Sequence, residues 1–282
     1  MKIAGLFFYA KIYQMLETII LGLTQGIAEW LPISSEGAIV AIKNTFFPTG
    51  LLLSDTIKLA LFLHFGTFMA ALIYFRKDVW TLIQAFFKPK ESSPENRKVL
   101  FFLIISTLIS GGLGFLLFKS LAEFESQIET GSAFINLFVA ALLFITAFLQ
   151  LVAKKDSASW RTKNEENLTT KDGIILGLVQ GFAVLPGLSR SGLTVSTLLL
   201  KKFNDTVALR LSFLMSMPIV LLGNIILVLP TFSFSFNALI SLVAAFASGL
   251  LTIHLLLRLS KKINFGYFAL LFGVLLIISV FF

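Results

Sequence analysis

Glu29 stands four residues after Gln25 and just before the pair Ser34-Ser35, while Arg190 stands between Ser189 and Ser191 in Pro186-Gly187-Leu188-Ser189-Arg190-Ser191-Gly192-Leu193-Thr194. A carboxylate, several hydroxyls and one guanidinium in otherwise apolar sequence are the parts that phosphoryl transfer requires. The guanidinium offers a fork of donors to phosphate oxygens, a serine serves as nucleophile or phosphate contact, and the acid acts as base or metal ligand. Gly187 lets backbone approach a ligand closely, and Ser189, Ser191 and Thr194 at a helix start would complete an oxyanion cradle. Gln25 and Glu29 share one helical face at a spacing of four. In Ser34-Ser35-Glu36-Gly37, which follows Pro32, helix capping accounts for one serine and leaves the other spare. Plainer readings stand beside these: Glu29 and Arg190 as a structural ion pair, and His64, in LALFLHFGTF, as a hydrogen-bonded packing residue rather than a proton carrier. An acid at membrane depth costs roughly 2.5–3.5 kcal/mol on insertion scales, which makes a functional role its default expectation.

The elements that position these groups are related to each other. Leu21–Val40 aligns without a gap on Leu176–Val195, matching Leu21/Leu176, Gly22/Gly177, Leu23/Leu178, Gln25/Gln180, Gly26/Gly181, Ala28/Ala183, Ser34/Ser189, Gly37/Gly192 and Val40/Val195. The differences carry the chemistry, because the first copy has Glu29 where the second has Val184, and the second has Arg190 where the first has Ser35. Each copy is broken by Pro and Gly, so neither can cross lipid as an unbroken helix. Both read as helix, break, helix: re-entrant hairpins covered by neighbouring helices.

With 57% hydrophobic residues, 13% charged ones and a mean hydropathy of +0.91, the chain belongs to no soluble class. Spans are expected near 57–75, 98–118, 132–152, 206–228, 236–257 and 264–281. The fold class is thus all-α integral membrane, with six transmembrane helices plus two re-entrant hairpins in an inverted-topology repeat. One membrane domain covers 1–282, with repeat one over 15–152 and repeat two over 172–282. The start, MKIAGLFFYAKIYQ, carries no evident cleavage site. The absence of Cys excludes thiol chemistry and cysteine-ligated metals.

Arg76, Lys77, Lys88, Lys90, Arg97 and Lys98 in one loop, Lys154, Lys155, Arg161, Lys163 and Lys171 in another, and Arg258, Lys261 and Lys262 in a third place those loops in the cytoplasm. The loop with Lys119, Glu123, Glu125 and Glu129, the uncharged PTFSFSF and both termini then lie outside. The net charge of +8 is accounted for by these loops without a nucleic-acid partner. Three spans between equivalent points invert the second hairpin, and two such hairpins meet at mid-membrane in a pocket suited to an anion.

QGIAE with LPISSEG, and PGLSRSGLT with RLSFLMSMP, make the chain resemble the undecaprenyl-diphosphate phosphatases, the bacitracin-resistance family. The resemblance implies a plasma-membrane enzyme that removes the terminal phosphate of a polyprenyl diphosphate with a divalent cation, Mg²⁺ or Ca²⁺, to recycle the carrier lipid for envelope glycan synthesis. It implies Ser35 as nucleophile or phosphate contact, Glu29 as metal ligand or base and Arg190 as phosphate clamp, with Gln25, Ser34, Gly187, Ser189, Ser191 and Thr194 supporting. A homodimer is a candidate assembly. One departure stands out: where the family usually shows Thr-Gly-His, this chain has Glu36-Gly37-Ala38, leaving Glu36 or His64 to replace the imidazole. Inverted repeats are also the architecture of alternating access, so a carrier of an anionic prenyl lipid and a lipid-binding relative without catalysis remain open.

Overall fold

The computed structural model describes residues 2–47, 52–127, 132–154, 161–231 and 235–281. Among them, eleven α-helices account for nearly all regular structure: α1 (Lys2–Ala28), α2 (Ser35–Phe46), α3 (Leu53–Tyr74), α4 (Arg76–Phe87), α5 (Pro94–Gln127), α6 (Ser132–Ala153), α7 (Thr170–Phe182), α8 (Arg190–Leu200), α9 (Asp205–Gly223), α10 (Phe236–Lys262) and α11 (Gly266–Ile278). Glu129, Lys155 and residues 232–234 of the expected loops lie outside the described residues.

Among the described residues, five helices are long and apolar enough to cross a membrane: Leu53–Tyr74, Pro94–Glu125, Ala133–Ala153, Asp205–Val228 and Phe236–Leu259. They coincide with five of the six expected spans. The sixth is apolar but only 13 residues long, which at 1.5 Å per residue falls short of a hydrocarbon core about 30 Å thick. Residues 76–87, read from sequence as loop because of Arg76 and Lys77, form α4 instead. Its Trp80, Phe86 and Phe87 are exposed, the pattern of a helix lying along an apolar–polar boundary.

Both repeat segments break where Pro and Gly predicted. α1 ends at Ala28 and α2 begins at Ser35, while α7 ends at Phe182 and α8 begins at Arg190. The duplication also governs packing, because α1 lies along α10 and its counterpart α7 along α5, each half completing the other. Small residues allow this closeness, as expected where helices associate by backbone approach. A Cβ on Gly26 would stand 1.9 Å from Ser248 Oγ and 2.6 Å from the Ala245 carbonyl, and one on its counterpart Gly181 would stand 2.9 Å from Leu113 Cβ. Gly26→Ala is accordingly expected to destabilise the protein by about 1–3 kcal/mol, the cost of overpacking a fitted contact. Thermal unfolding in detergent measures it, and an unchanged melting temperature would refute the close packing of α1 on α10.

The polar loops sort to two ends of the bundle. At one end Arg210 pairs with Asp78 and Glu165, Arg161 with Asp205, Lys201 with Asp172, and Tyr74 bonds His254. At the other, Lys43 pairs with Glu17, Glu125 accepts from the Ser54 amide at 2.9 Å, and Asn136 bridges Asn44 and Ser279. Arg210, whose long side chain suggests snorkelling to the interface, is instead held between two carboxylates at the first of these ends. The site sits between the two ends, where the helix breaks face each other.

Candidate functional site

Two helix starts converge on one carboxylate. Ser34, in a left-handed conformation at φ 65°, caps α2 by accepting from the Gly37 amide at 3.1 Å, and its repeat partner Ser189 caps α8 by accepting from the Gly192 amide at 3.1 Å. The caps are linked, since Gly187 N also donates to Ser34 Oγ at 3.2 Å. Each cap fixes the next side chain in the first turn, and these are Ser35 and Arg190, the unlike residues that the repeats carry at one equivalent position. Ser35 Oγ donates to Glu29 Oε2 at 2.9 Å, and Arg190 Nη2 donates to Glu29 Oε1. The carboxylate is therefore held on one oxygen by the first repeat and on the other by the second. Positive ends of two helix dipoles point at the same place, which favours an anion there.

Gln25 Nε2 donates to Glu29 Oε2 at 3.0 Å, as the spacing of four predicted, and also to Thr67 Oγ1 at 3.3 Å. Gln25 is fully buried and lies behind Glu29 rather than in the open part of the site. His64 joins from α3, with Nε2 3.0 Å from Glu29 Oε2 and 3.4 Å from Ser35 Oγ. Its Nδ1 lies 2.7 Å from the Ala60 carbonyl and its Nε2 faces the Glu29 carboxylate, both of them acceptors only, so in this arrangement each ring nitrogen donates a proton. The packing role, the plainer sequence reading, thus gives way to a place inside the cluster. The sequence of α3 alone contains no sign of this, because the contact depends on how α3 docks against the first helix break.

One cavity takes in Glu29, Ser34, Ser35, Glu36, His64, Ser189, Arg190 and Ser191 together with Ser110 and Gln180. Glu36 Oε2 is buried there without a hydrogen-bond partner. Gln180 Oε1 is likewise unpartnered, while its Nε2 donates to Ser110 Oγ at 3.0 Å. Gln180 and Ser110 are site residues that sequence reasoning passed over. Gln180 was visible as the repeat partner of Gln25, a signal of duplication that did not by itself point to a cavity.

Two expected phosphate contacts turn away from the cavity. Thr194 is fully buried, donates to the Arg190 carbonyl at 2.8 Å and meets Ser212 Oγ at 2.7 Å, bracing the start of α8 from behind. Gly187 is needed for its backbone, since φ of 103° is strained for any residue with a Cβ, and a Cβ there would stand 2.5 Å from the Val139 carbonyl. Its carbonyl accepts from Thr146 at 2.9 Å. The expected ion pair of Glu29 and Arg190 is present, and it is the floor of the cavity, not a contact sealed away from it.

Long apolar helices, broken helices meeting inside the bundle, and an acid, imidazole, hydroxyls and guanidinium around one cavity define a multi-pass membrane protein built to handle an anionic group. The chain belongs to the family described as bacitracin resistance protein BacA, which matches residues 18–278. It is 40% identical over 273 residues to a protein named undecaprenyl-diphosphatase from Methanococcoides burtonii, covering 94% of this chain and 98% of that one. A protein of the same name from Haloarcula marismortui is 36% identical over 92% of this chain and 94% of its own. Undecaprenyl-diphosphatase 2 of Halalkalibacterium halodurans is 37% identical over 73% and 71%.

Proposed function

We propose that this chain is an undecaprenyl-diphosphatase that hydrolyses the terminal phosphate of the lipid diphosphate and so recycles the carrier lipid for envelope glycan synthesis. The observation that carries this reading is the grip on Glu29 by Ser35 and Arg190, repeat-equivalent residues at two capped helix starts, beside His64 in one cavity. The substrate's phosphate displaces part of that grip. Arg190 then turns its fork to the phosphate oxygens, and the hydroxyls of Ser34, Ser189 and Ser191 add donors.

Ser35 Oγ attacks the terminal phosphorus as its proton passes to Glu29 Oε2, on which it already rests, and His64 Nε2 gives its proton to the bridging oxygen; the Oγ–P bond forms, the bond from phosphorus to that oxygen breaks and the lipid monophosphate leaves. A water molecule, giving its proton to His64, then attacks the same phosphorus. The Oγ–P bond breaks, Ser35 recovers its proton and inorganic phosphate leaves. Glu29 holds Ser35 and His64 in place and stabilises the imidazolium.

A divalent cation, Mg²⁺ or Ca²⁺, fits the oxygen donors of the cavity. Glu36 Oε2 and Gln180 Oε1 both lack partners, whereas both oxygens of Glu29 are engaged by protein groups, so Glu36 is better placed than Glu29 as the carboxylate ligand. Among the described residues no cluster of three or more His, Cys, Asp or Glu forms a metal cage, which suits a cation that the diphosphate itself helps to hold. When bound, the cation neutralises negative charge on the phosphate groups.

The topology in this reading is six spans, with α11 as the shortest, and two re-entrant hairpins, α1–α2 and α7–α8. The end of the bundle carrying Arg76, Arg161 and Arg210 faces the cytoplasm, and both termini lie outside. Phosphate release from undecaprenyl diphosphate by the purified protein in detergent, with and without chelator, tests the function. Release that the chelator stops is the expected outcome. Folded protein that is stabilised by the lipid but releases no phosphate would replace the enzyme with a carrier.

A further inference from the structure

The cavity that holds the catalytic cluster does not stop there. Beyond Ser110 it continues as an apolar groove, with Gly111, Gly114 and Phe115 of α5 on one side and Ile219, Leu222 and Ile226 of α9 and its continuation on the other. The outer members Phe115, Leu222 and Ile226 are 45%, 38% and 51% exposed, so the groove opens sideways on two of the membrane-crossing helices. The glycines explain why it is open. A Cβ on Gly111 would find only Ile219 Cδ1 at 3.6 Å, and one on Gly114 would meet nothing nearer than the Gly181 carbonyl at 3.5 Å. Gly26 and Gly181 bring a neighbouring helix closer than a Cβ would allow, whereas Gly111 and Gly114 stand at ordinary contact distance and line the cavity without sending a side chain into it.

The facing wall is also irregular. Pro218 interrupts the hydrogen bonding of α9, and Asn224–Val228 continues it as a π turn pinned to α3 by Asn224 Nδ2, which donates to the Leu61 carbonyl at 2.9 Å. The groove is thus held between a wall where two glycines project no side chain and a wall wound off the regular helix.

We infer that this groove seats the isoprene units next to the diphosphate, and that Gly111 and Gly114 set the enzyme's requirement for a prenyl chain. The inference rests on the diphosphatase reading. Its argument is continuity: a single cavity has cationic and hydroxyl groups at its inner end and only apolar surface at its lipid-facing end, the distribution of a substrate with an anionic head and a hydrocarbon tail.

Gly111→Leu and Gly114→Leu fill the groove at positions where a Cβ makes only ordinary contact, and thermal unfolding in detergent verifies that they fold. Their kcat/KM values for undecaprenyl diphosphate and for dimethylallyl diphosphate, which has a single isoprene unit, are compared with those of the unsubstituted protein. The ratio of long-chain to short-chain kcat/KM is expected to fall about tenfold or more, the scale on which one misplaced apolar group changes recognition in a pocket. A ratio unchanged in both variants overturns the inference. A second readout is the rise in melting temperature produced by undecaprenyl monophosphate, expected in the unsubstituted protein and lost in the variants. If the protein releases no phosphate but this difference is found, the diphosphatase reading fails and the groove stands. If the variants are stabilised as strongly as the unsubstituted protein, the groove fails whatever the activity.

Discussion

Arg190→Ala is expected to lower phosphate release by about a hundred- to a thousandfold, the usual consequence of deleting one preorganised group that stabilises transition-state charge. The effect is so large because Arg190 supplies the one guanidinium among the described residues lining the cavity and stands at a helix start already favourable to anions. The same substitution leaves Glu29 buried opposite an empty space, and breaking a buried pair from one side costs about 3–5 kcal/mol. Loss of rate must therefore be separated from loss of fold. Arg190→Lys retains the charge but not the planar fork, and is expected to restore the melting temperature without restoring the rate. Combining Arg190→Ala with Glu29→Gln removes both charges, and should be more stable than Arg190→Ala alone while remaining inactive. Full activity in Arg190→Ala would remove the guanidinium from the site.

The second large effect is expected at His64. His64→Gln keeps a polar side chain near Glu29 but cannot exchange a proton, and kcat should fall by about 10²–10⁴, the range attributed to a positioned acid or base. The shape of the pH profile distinguishes this from a packing defect. One limb of the rate–pH curve belongs to the imidazole and should vanish in His64→Gln, whereas a residue that only packs would lower the whole curve without changing its shape. Retention of both rate and profile would return His64 to the packing role that its sequence context first suggests. The prediction bears on Ala38 as well, since α2 carries no imidazole of its own and the structure places one there from α3.

What the sequence discloses of this site follows from the duplication. Alignment of the two segments sets Ser35 opposite Arg190 at one equivalent position, and these are the two side chains that reach Glu29 from opposite directions. Capping logic also anticipates that one serine of the pair serves the helix and one is spare, and the structure makes Ser34 the cap and leaves Ser35 to meet Glu29. His64 and Ser110 illustrate what cannot be read in full, His64 being legible, like Glu36, only as a candidate substitute for the missing imidazole. Their approach to the cavity depends on the depth at which α3 and α5 dock, and no local pattern encodes depth. Thr194 and Gly187 show the opposite error, because a hydroxyl or a glycine beside an arginine resembles a phosphate contact until the backbone direction is known. The helices themselves were legible from hydropathy, except α4, where charged residues hid an exposed apolar face, and α11, whose apolar run extends beyond the helix it forms.

The crossed pairing of the halves also bears on biogenesis. α1 leaves the ribosome before the other described helices, yet the surface it packs against belongs to α10, which begins at Phe236. Until that helix is made and inserted, the glycine face of α1 has only lipid beside it. Glu29 waits as well, because Arg190 arrives with the second half of the chain. Insertion can proceed helix by helix, but assembly of the site waits for Arg190 and α10. A chain truncated before residue 236 would therefore carry every polar group of the cluster without the α10 surface on which α1 rests, and would be a natural target for membrane quality control.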